Sequence, residues 1–237
     1  FGTVPMYFAL KSSLNCATAS LGLKIGLPNV IENAHKAGIA TELKPFPALV
    51  LGVFELPALE VLQAYSTFAR MGERVQLSLI RKIKNLNDVV LYENVIQREQ
   101  TLDAQNTAVL VGMLKQTVLN GSAVGVTLSG FDLPAAGKTG TTNDYRDSWF
   151  AGFTPLHVAV SWVGYDDNTP SGLTGATGAV PLWIRYMKDY AGQFPALDFQ
   201  WPESVVKKEI SVSDQTALNV PASDKRPLQP IELIFKK

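Results

Sequence analysis

The sequence carries one cysteine, Cys16, and only two histidines, His35 and His157, in 237 residues. A single cysteine excludes an internal disulfide, and one cysteine with two distant histidines writes no zinc site of the usual spacing. His35 is expected on a helix surface and His157 in or beside a strand; neither is assigned a metal or catalytic role. Charge of one sign is also missing, since 21 basic residues balance 21 acidic ones along the chain. Without a Lys/Arg run or a basic stripe with interleaved aromatics, nucleic acid is not an expected partner. Long apolar runs are absent too. The nearest, Ala48 to Phe54, is broken by Glu55 and Pro57, far short of the roughly 20 residues of a membrane span. The start, Phe1-Gly2-Thr3-Val4, has neither the basic opening of a signal peptide nor an initiator Met. The chain therefore reads as cut from something longer, with any targeting or anchoring segment upstream.

What is present is the balance of a globular protein, 46% hydrophobic and 18% charged, in one large domain or one domain with a tail. Val4 to Ile25 predicts a helix, a polar turn near Ser12 to Asn15, and a second helix. Pro28 suits the first turn of a third, ending near Gly38. Pro45 to Leu56 reads as a loop with a short extended piece. From Pro57, apolar Val61, Leu62, Tyr65, Phe68 and Ala69 recur at helical spacing until Gly72. Leu77 to Ile83 and Val89 to Tyr92 flank Asn85 to Asp88 as a hairpin. Ala104, Ala108, Val111, Leu114 and Val118 predict another amphipathic helix, closed by Asn120-Gly121. Three strand-like runs follow, Pro134 to Thr141, Asp147 to Phe153 and Leu156 to Tyr165. The tight Thr154-Pro155 link makes the last two antiparallel. A helix near Val180 to Tyr190 comes next, and from Gly192 the chain reads as an irregular extension. Helices first and meandering strands second indicate an α+β domain, an antiparallel sheet with helices on its faces.

Chemistry concentrates in Lys138-Thr139-Gly140-Thr141-Thr142, at the end of a predicted strand. Lys138 supplies positive potential, and Thr139 and Thr141 can donate to a carboxylate. Gly140 has no side chain, so another backbone can lie against the strand. Composition alone would also allow a strand ending in an exposed turn. Ser13-Leu14-Asn15 places a hydroxyl and an amide in a turn, where both can face a cleft; a local cap would use the same residues.

The order of the two motifs, Ser-x-Asn and then Lys-Thr-Gly, is that of the serine penicillin-recognising acyltransferases. Context sharpens the match: Asp147-Ser148-Trp149-Phe150-Ala151-Gly152-Phe153-Thr154-Pro155, then Trp162-Val163-Gly164-Tyr165-Asp166, then Thr174-Gly175-Ala176. Over about Ala9 to Tyr190 the chain resembles the C-terminal part of the transpeptidase domain of class A (bifunctional) penicillin-binding proteins, so residues 1–191 are assigned to that domain and 192–237 to an extension.

The resemblance implies a β-lactamase/transpeptidase-like fold with a helical subdomain, here incomplete on its N-terminal side. It implies a D,D-transpeptidase that cross-links peptidoglycan stem peptides through a serine acyl-enzyme and is inhibited by β-lactams. Carried over, Ser13 shuttles protons and Asn15 binds the acyl side-chain amide. Lys138 stabilises anionic charge and polarises Ser13. Thr139 and Thr141 bind the substrate carboxylate along the Gly140 strand, and the Thr141 N–H is half of the oxyanion hole. No metal or cofactor is implied. The nucleophile of the family lies in a Ser-x-x-Lys segment upstream of Ser-x-Asn, and the twelve residues before Ser13 do not form one. Ser204-Val205-Val206-Lys207 has the spacing but follows the Lys-Thr-Gly. The expected partners are thus stem peptides, β-lactams, an upstream segment with the Ser-x-x-Lys and a glycosyltransferase domain. The expected location is extracytoplasmic, on the periplasmic side of a bacterial inner membrane, through an upstream anchor. Rival readings are a non-catalytic penicillin-binding or sensor module and a β-lactamase-like hydrolase. Against the second, none of Glu32, Glu42, Glu55, Glu60, Glu73, Glu93 and Glu99 stands in a Glu-x-x-Leu-Asn pattern.

Overall fold

A computed structural model describes residues 2–218, 220 and 228–237. Helices α1 (Met6–Lys11), α2 (Asn15–Ile25), α3 (Leu27–Ala37) and α4 (Ala58–Ala69) come first. Short strands β1 (Glu73–Val75), β2 (Lys82–Lys84), β3 (Val90–Glu93) and β4 (Arg98–Gln100) precede the long helix α5 (Ala104–Asn120). One turn, α6 (Gly125–Leu128), leads into β5 (Ala136–Thr141), β6 (Ser148–Phe153) and β7 (Val158–Val163). The rest is α7 (Val180–Ala191), β8 (Val205–Ile210), α8 (Val212–Ala217) and β9 (Ile231–Lys236). The α+β reading holds: an antiparallel sheet β5-β6-β7 has helices packed on it.

Local chemistry accounts for most boundaries. Asp103 caps α5 by accepting from Asn106 N at 2.7 Å. Gly38, at φ 117°, ends α3. Asn85 Oδ1 accepts from the N–H groups of Asn87 and Val89, which folds the turn between β2 and β3.

The core lies on both sides of the sheet. One cluster joins Phe150 of β6 to Val180, Trp183 and Met187 of α7, with Phe131 edge-on to Trp183. Another sets Val111 and Leu114 of α5 against Ala136 of β5 and Phe153 of β6, with Tyr65 edge-on to Phe153. Burying side chains of this size contributes roughly 1.5–3 kcal/mol each, so α5 and α7 fix the sheet between them.

Two local expectations differ from the structure, and one strand pairing adds to them. Pro47–Leu51 forms a 3-10 turn rather than an extended piece: Pro47 opens it with a helical φ and Gly52, at φ 81°, closes it. Glu73–Val75 and Arg98–Gln100 pair as β1 and β4, two short and polar strands bound partly by Arg74–Glu99. Among the described residues, the stretch from Gly192 is not irregular throughout. It forms β8 and β9, an antiparallel pair, with α8 between them. Val205, Leu233 and Ile234 are buried, and Ile234 lies against Gly112 of α5, where a Cβ would come within 2.6 Å of it. Each strand has few buried positions, and its partner lies some twenty residues away. Local periodicity therefore carries little of the signal.

Candidate active site

The site lies where the α1–α2 turn meets the free edge of β5. Helix α1 ends with Leu14 N donating to Ala9 O at 2.9 Å and Ser13 N to Leu10 O at 3.1 Å. That pair of bonds is a Schellman ending, and it puts Ser13 at the left-handed position, φ 54°. Glycine normally takes this place, and a side chain there costs about 1–2 kcal/mol. The conformation holds the Ser13 hydroxyl out of the helix and toward the sheet.

Lys138 meets it there. Lys138 Nζ donates to Ser13 Oγ at 2.9 Å and to Thr139 O at 3.0 Å. Burial pushes the Lys138 amine down to about 8. Near neutral pH this ammonium can therefore exchange a proton with a neighbouring hydroxyl, or remain a cation for an anionic ligand.

Strand register shows which backbone groups are free. Thr142 N donates to Asp147 O, so the residues in step with it, Gly140, Lys138 and Ala136, turn their backbone toward β6. Gly137, Thr139 and Thr141 turn theirs outward. Accordingly Gly137 O accepts from Thr117 Oγ1 and Thr139 O accepts from Lys138. The Thr141 N–H points from the free edge of β5, which has one strand neighbour among the described residues. This edge can pair with an extended peptide.

The hydroxyls are held as well. Gly175 N donates to Thr141 Oγ1 at 2.9 Å, which occupies that oxygen as an acceptor and leaves its proton to donate. Gly175 opens a π-helical turn, Gly175–Ala179, capped by Thr174. It sits so close that a Cβ would lie 2.6 Å from Gly140 O and 3.0 Å from Thr139 Cβ. Thr139 Oγ1 donates to Ser122 Oγ at 2.8 Å.

Of the residues singled out in the sequence, Ser13, Lys138 and Thr139 come together, with Gly140 and Thr141 continuing along the same strand. Asn15 is exposed at the first position of α2, next to the site but outside these bonds. Ser204 and Lys207 belong to a turn and to β8, three residues apart. Ser204 is off the strand, and Lys207 is already paired with Asp198 and Glu232. Sequence reasoning missed Ser122 and Thr117. It read Asn120-Gly121 only as a helix end. Gly175 stood in the Thr174-Gly175-Ala176 segment, without a role.

The family described as "Penicillin binding protein transpeptidase domain" matches residues 48–180. This chain belongs to the penicillin-binding protein transpeptidase family. It is 39% identical to "Penicillin-binding protein 1A" of Aquifex aeolicus over 228 residues, covering 93% of the chain and 31% of that protein. With "Penicillin-binding protein 1B" of Vibrio cholerae it shares 38% identity over 205 residues, 86% of the chain and 26% of that protein. The resemblance to the class A group, over the C-terminal part of the domain, therefore stands, and the chain spans about a quarter to a third of these relatives. Among solved structures, Penicillin-Binding Protein 1A from Haemophilus influenzae superposes with a TM-score of 0.82 at 20% identity, over 97% of the chain and 40% of that structure. PonA1 from Mycobacterium tuberculosis in complex with penicillin V gives 0.70 at 24%, over 83% and 58%. These two establish a shared fold, that of penicillin-binding proteins.

Proposed function

We propose that the chain is the C-terminal part of a D,D-transpeptidase domain that cross-links peptidoglycan stem peptides and is acylated by β-lactams. The observation that carries this reading is the Lys138–Ser13 hydrogen bond, which unites the two motifs across 125 residues. The nucleophilic serine comes from a Ser-x-x-Lys segment outside this chain, and a glycosyltransferase domain and membrane anchor accompany it on the extracytoplasmic side.

In this reading the stem peptide lies along the free edge of β5. The nucleophile attacks the penultimate D-alanyl carbonyl, and the oxyanion sits on the Thr141 N–H and the nucleophile's own N–H. Thr139 and Thr141 hold the terminal carboxylate, and Asn15 the acyl side-chain amide. As the ester forms, the nucleophile's proton is relayed through Ser13 to the departing D-alanine nitrogen, and Lys138 stabilises the Ser13 hydroxyl through that transfer. An acceptor amine then attacks the ester and gives its proton back through Ser13, which frees the serine. None of the glutamates between Ser13 and Lys138 stands in a Glu-x-x-Leu-Asn pattern that would activate water, so the β-lactam adduct is expected to persist. Residues 192–237 serve as a C-terminal extension, whose described strands pack on α5.

Co-expression of the chain with its upstream segment tests this. Penicillin should give a lasting adduct of one molecule per protein by mass spectrometry, and a stem-peptide donor should be transferred to an amine. No adduct, or rapid turnover of penicillin, would overturn the reading.

A further inference from the structure

The Ser13 turn and the β5 strand are far apart in sequence, yet a third segment joins them. After α5 the chain turns at Gly121 so tightly that a Cβ there would lie 2.6 Å from Lys11 O. Ser122 N then donates to that same Lys11 carbonyl at 2.9 Å. Lys11 is itself buried, 8% exposed. Its Nζ donates to Asn120 Oδ1 at 3.0 Å and lies 5.4 Å from the centre of the Phe8 ring. The end of α1 is thus bolted to the end of α5 two residues before Ser13.

From this corner Ser122 reaches across to Thr139 at 2.8 Å. The bonds close a circuit: Ser13 to Lys11 along the chain, Lys11 O to Ser122 N, Ser122 Oγ to Thr139 Oγ1, Thr139 to Lys138 along β5, and Lys138 Nζ to Ser13 Oγ. We infer that Ser122 is a positioning residue of the site, one that fixes the Thr139 hydroxyl toward the ligand carboxylate. The inference rests on the functional reading above.

The chemistry is one of proton count. Two hydroxyls sharing one hydrogen bond keep a single proton between them for a ligand. In the structure Thr139 spends its proton on Ser122 Oγ; a bound carboxylate turns the pair over, so that Ser122 donates to Thr139 Oγ1 and the Thr139 proton goes to the ligand. Removing Ser122 leaves Thr139 its own proton but frees the hydroxyl to rotate. Binding of a carboxylate should weaken, while the reaction at the carbonyl proceeds as before.

The experiment measures acylation by penicillin and by its methyl ester in the protein that carries the upstream Ser-x-x-Lys segment. Ser122→Ala should lower the rate constant for penicillin about threefold to tenfold, the scale of one hydrogen bond between uncharged groups. The ester rate should not change, and Ser122→Thr should stay within about twofold of the parent for both. Equal losses with both ligands, or an unchanged preference for the free carboxylate, would overturn the inference and leave the transpeptidase reading intact. An unacylated parent protein would sink that reading and this inference together. If Ser122→Ala does not fold, Ser122→Cys, of similar size and a much weaker partner, reports the same ratio.

Discussion

Lys138 Nζ lies 2.9 Å from Ser13 Oγ, although one residue ends a helix and the other sits within a strand. The amine that makes this contact is held near a pKa of 8 because burial disfavours its charged form. If Lys138 anchors the developing charge, Lys138→Ala in the protein with its upstream segment should slow acylation by penicillin at least about a hundredfold. Stopped-flow acylation gives the answer, and a near-normal rate removes Lys138 from the mechanism.

The same amine predicts a pH dependence with a definite sign. Lys138 is charged below about 8 in the folded chain and keeps its charge to 10.5 when unfolded. Acylation by a carboxylate-bearing β-lactam should therefore fall as pH rises past that lower value. Folding stability should run the other way. Between the two values the unfolded state binds more protons, so stability rises with pH across that window. Denaturant melts of the parent and Lys138→Met test this, since the substitution should flatten the slope.

Ser13 offers a way to separate stability from chemistry. It occupies a left-handed position at φ 54°, so Ser13→Gly should stabilise the fold by about 0.5–1 kcal/mol. Ser13→Ala should leave stability within about half a kcal/mol of the parent. Both should lose transpeptidation. Full activity per folded molecule in either variant would reduce Ser13 to a helix ending.

Gly175→Ala probes the support under the strand. The added methyl would meet Gly140 O at 2.6 Å and Trp149 O at 2.7 Å, both backbone atoms. Neither can rotate away, so β5 must shift. The expected loss is about 1–3 kcal/mol in stability, together with slower acylation. Thermal melts and acylation rates that both match the parent would show that the strand has more room than this packing implies.

The isolated polypeptide should form no covalent adduct with penicillin and should self-associate. Leu21, Leu23 and Ile25 on α2 and Leu79, Leu86 and Val95 around the β2–β3 hairpin are exposed, and β7 is an edge of its sheet among the described residues. Such surfaces favour association. Mass spectrometry and light scattering check both parts. A stoichiometric adduct on any serine, Ser204 included, would mean that the nucleophile is misplaced.

Sequence alone determined the elements whose signals are local. The helices from Met6 to Ala37, α4, α5 and the β5-β6-β7 meander follow from apolar period, proline and glycine punctuation and one tight turn. The Ser13 and Lys138 motifs were legible because their order and surrounding residues form a pattern along the chain. Tertiary structure alone decided that Ser13 takes a left-handed conformation aimed at Lys138, and that Asn15 stays outside the hydrogen bonds joining them. It also decided that Ser122, an unremarked residue after a helix end, touches Thr139. The tail shows the same limit, since β8 and β9 exist by pairing with each other and packing on α5. Periodicity reports how a residue relates to its neighbours in sequence. A hydrogen bond between distant segments depends on where the core brings them, and only the packed chain contains that information.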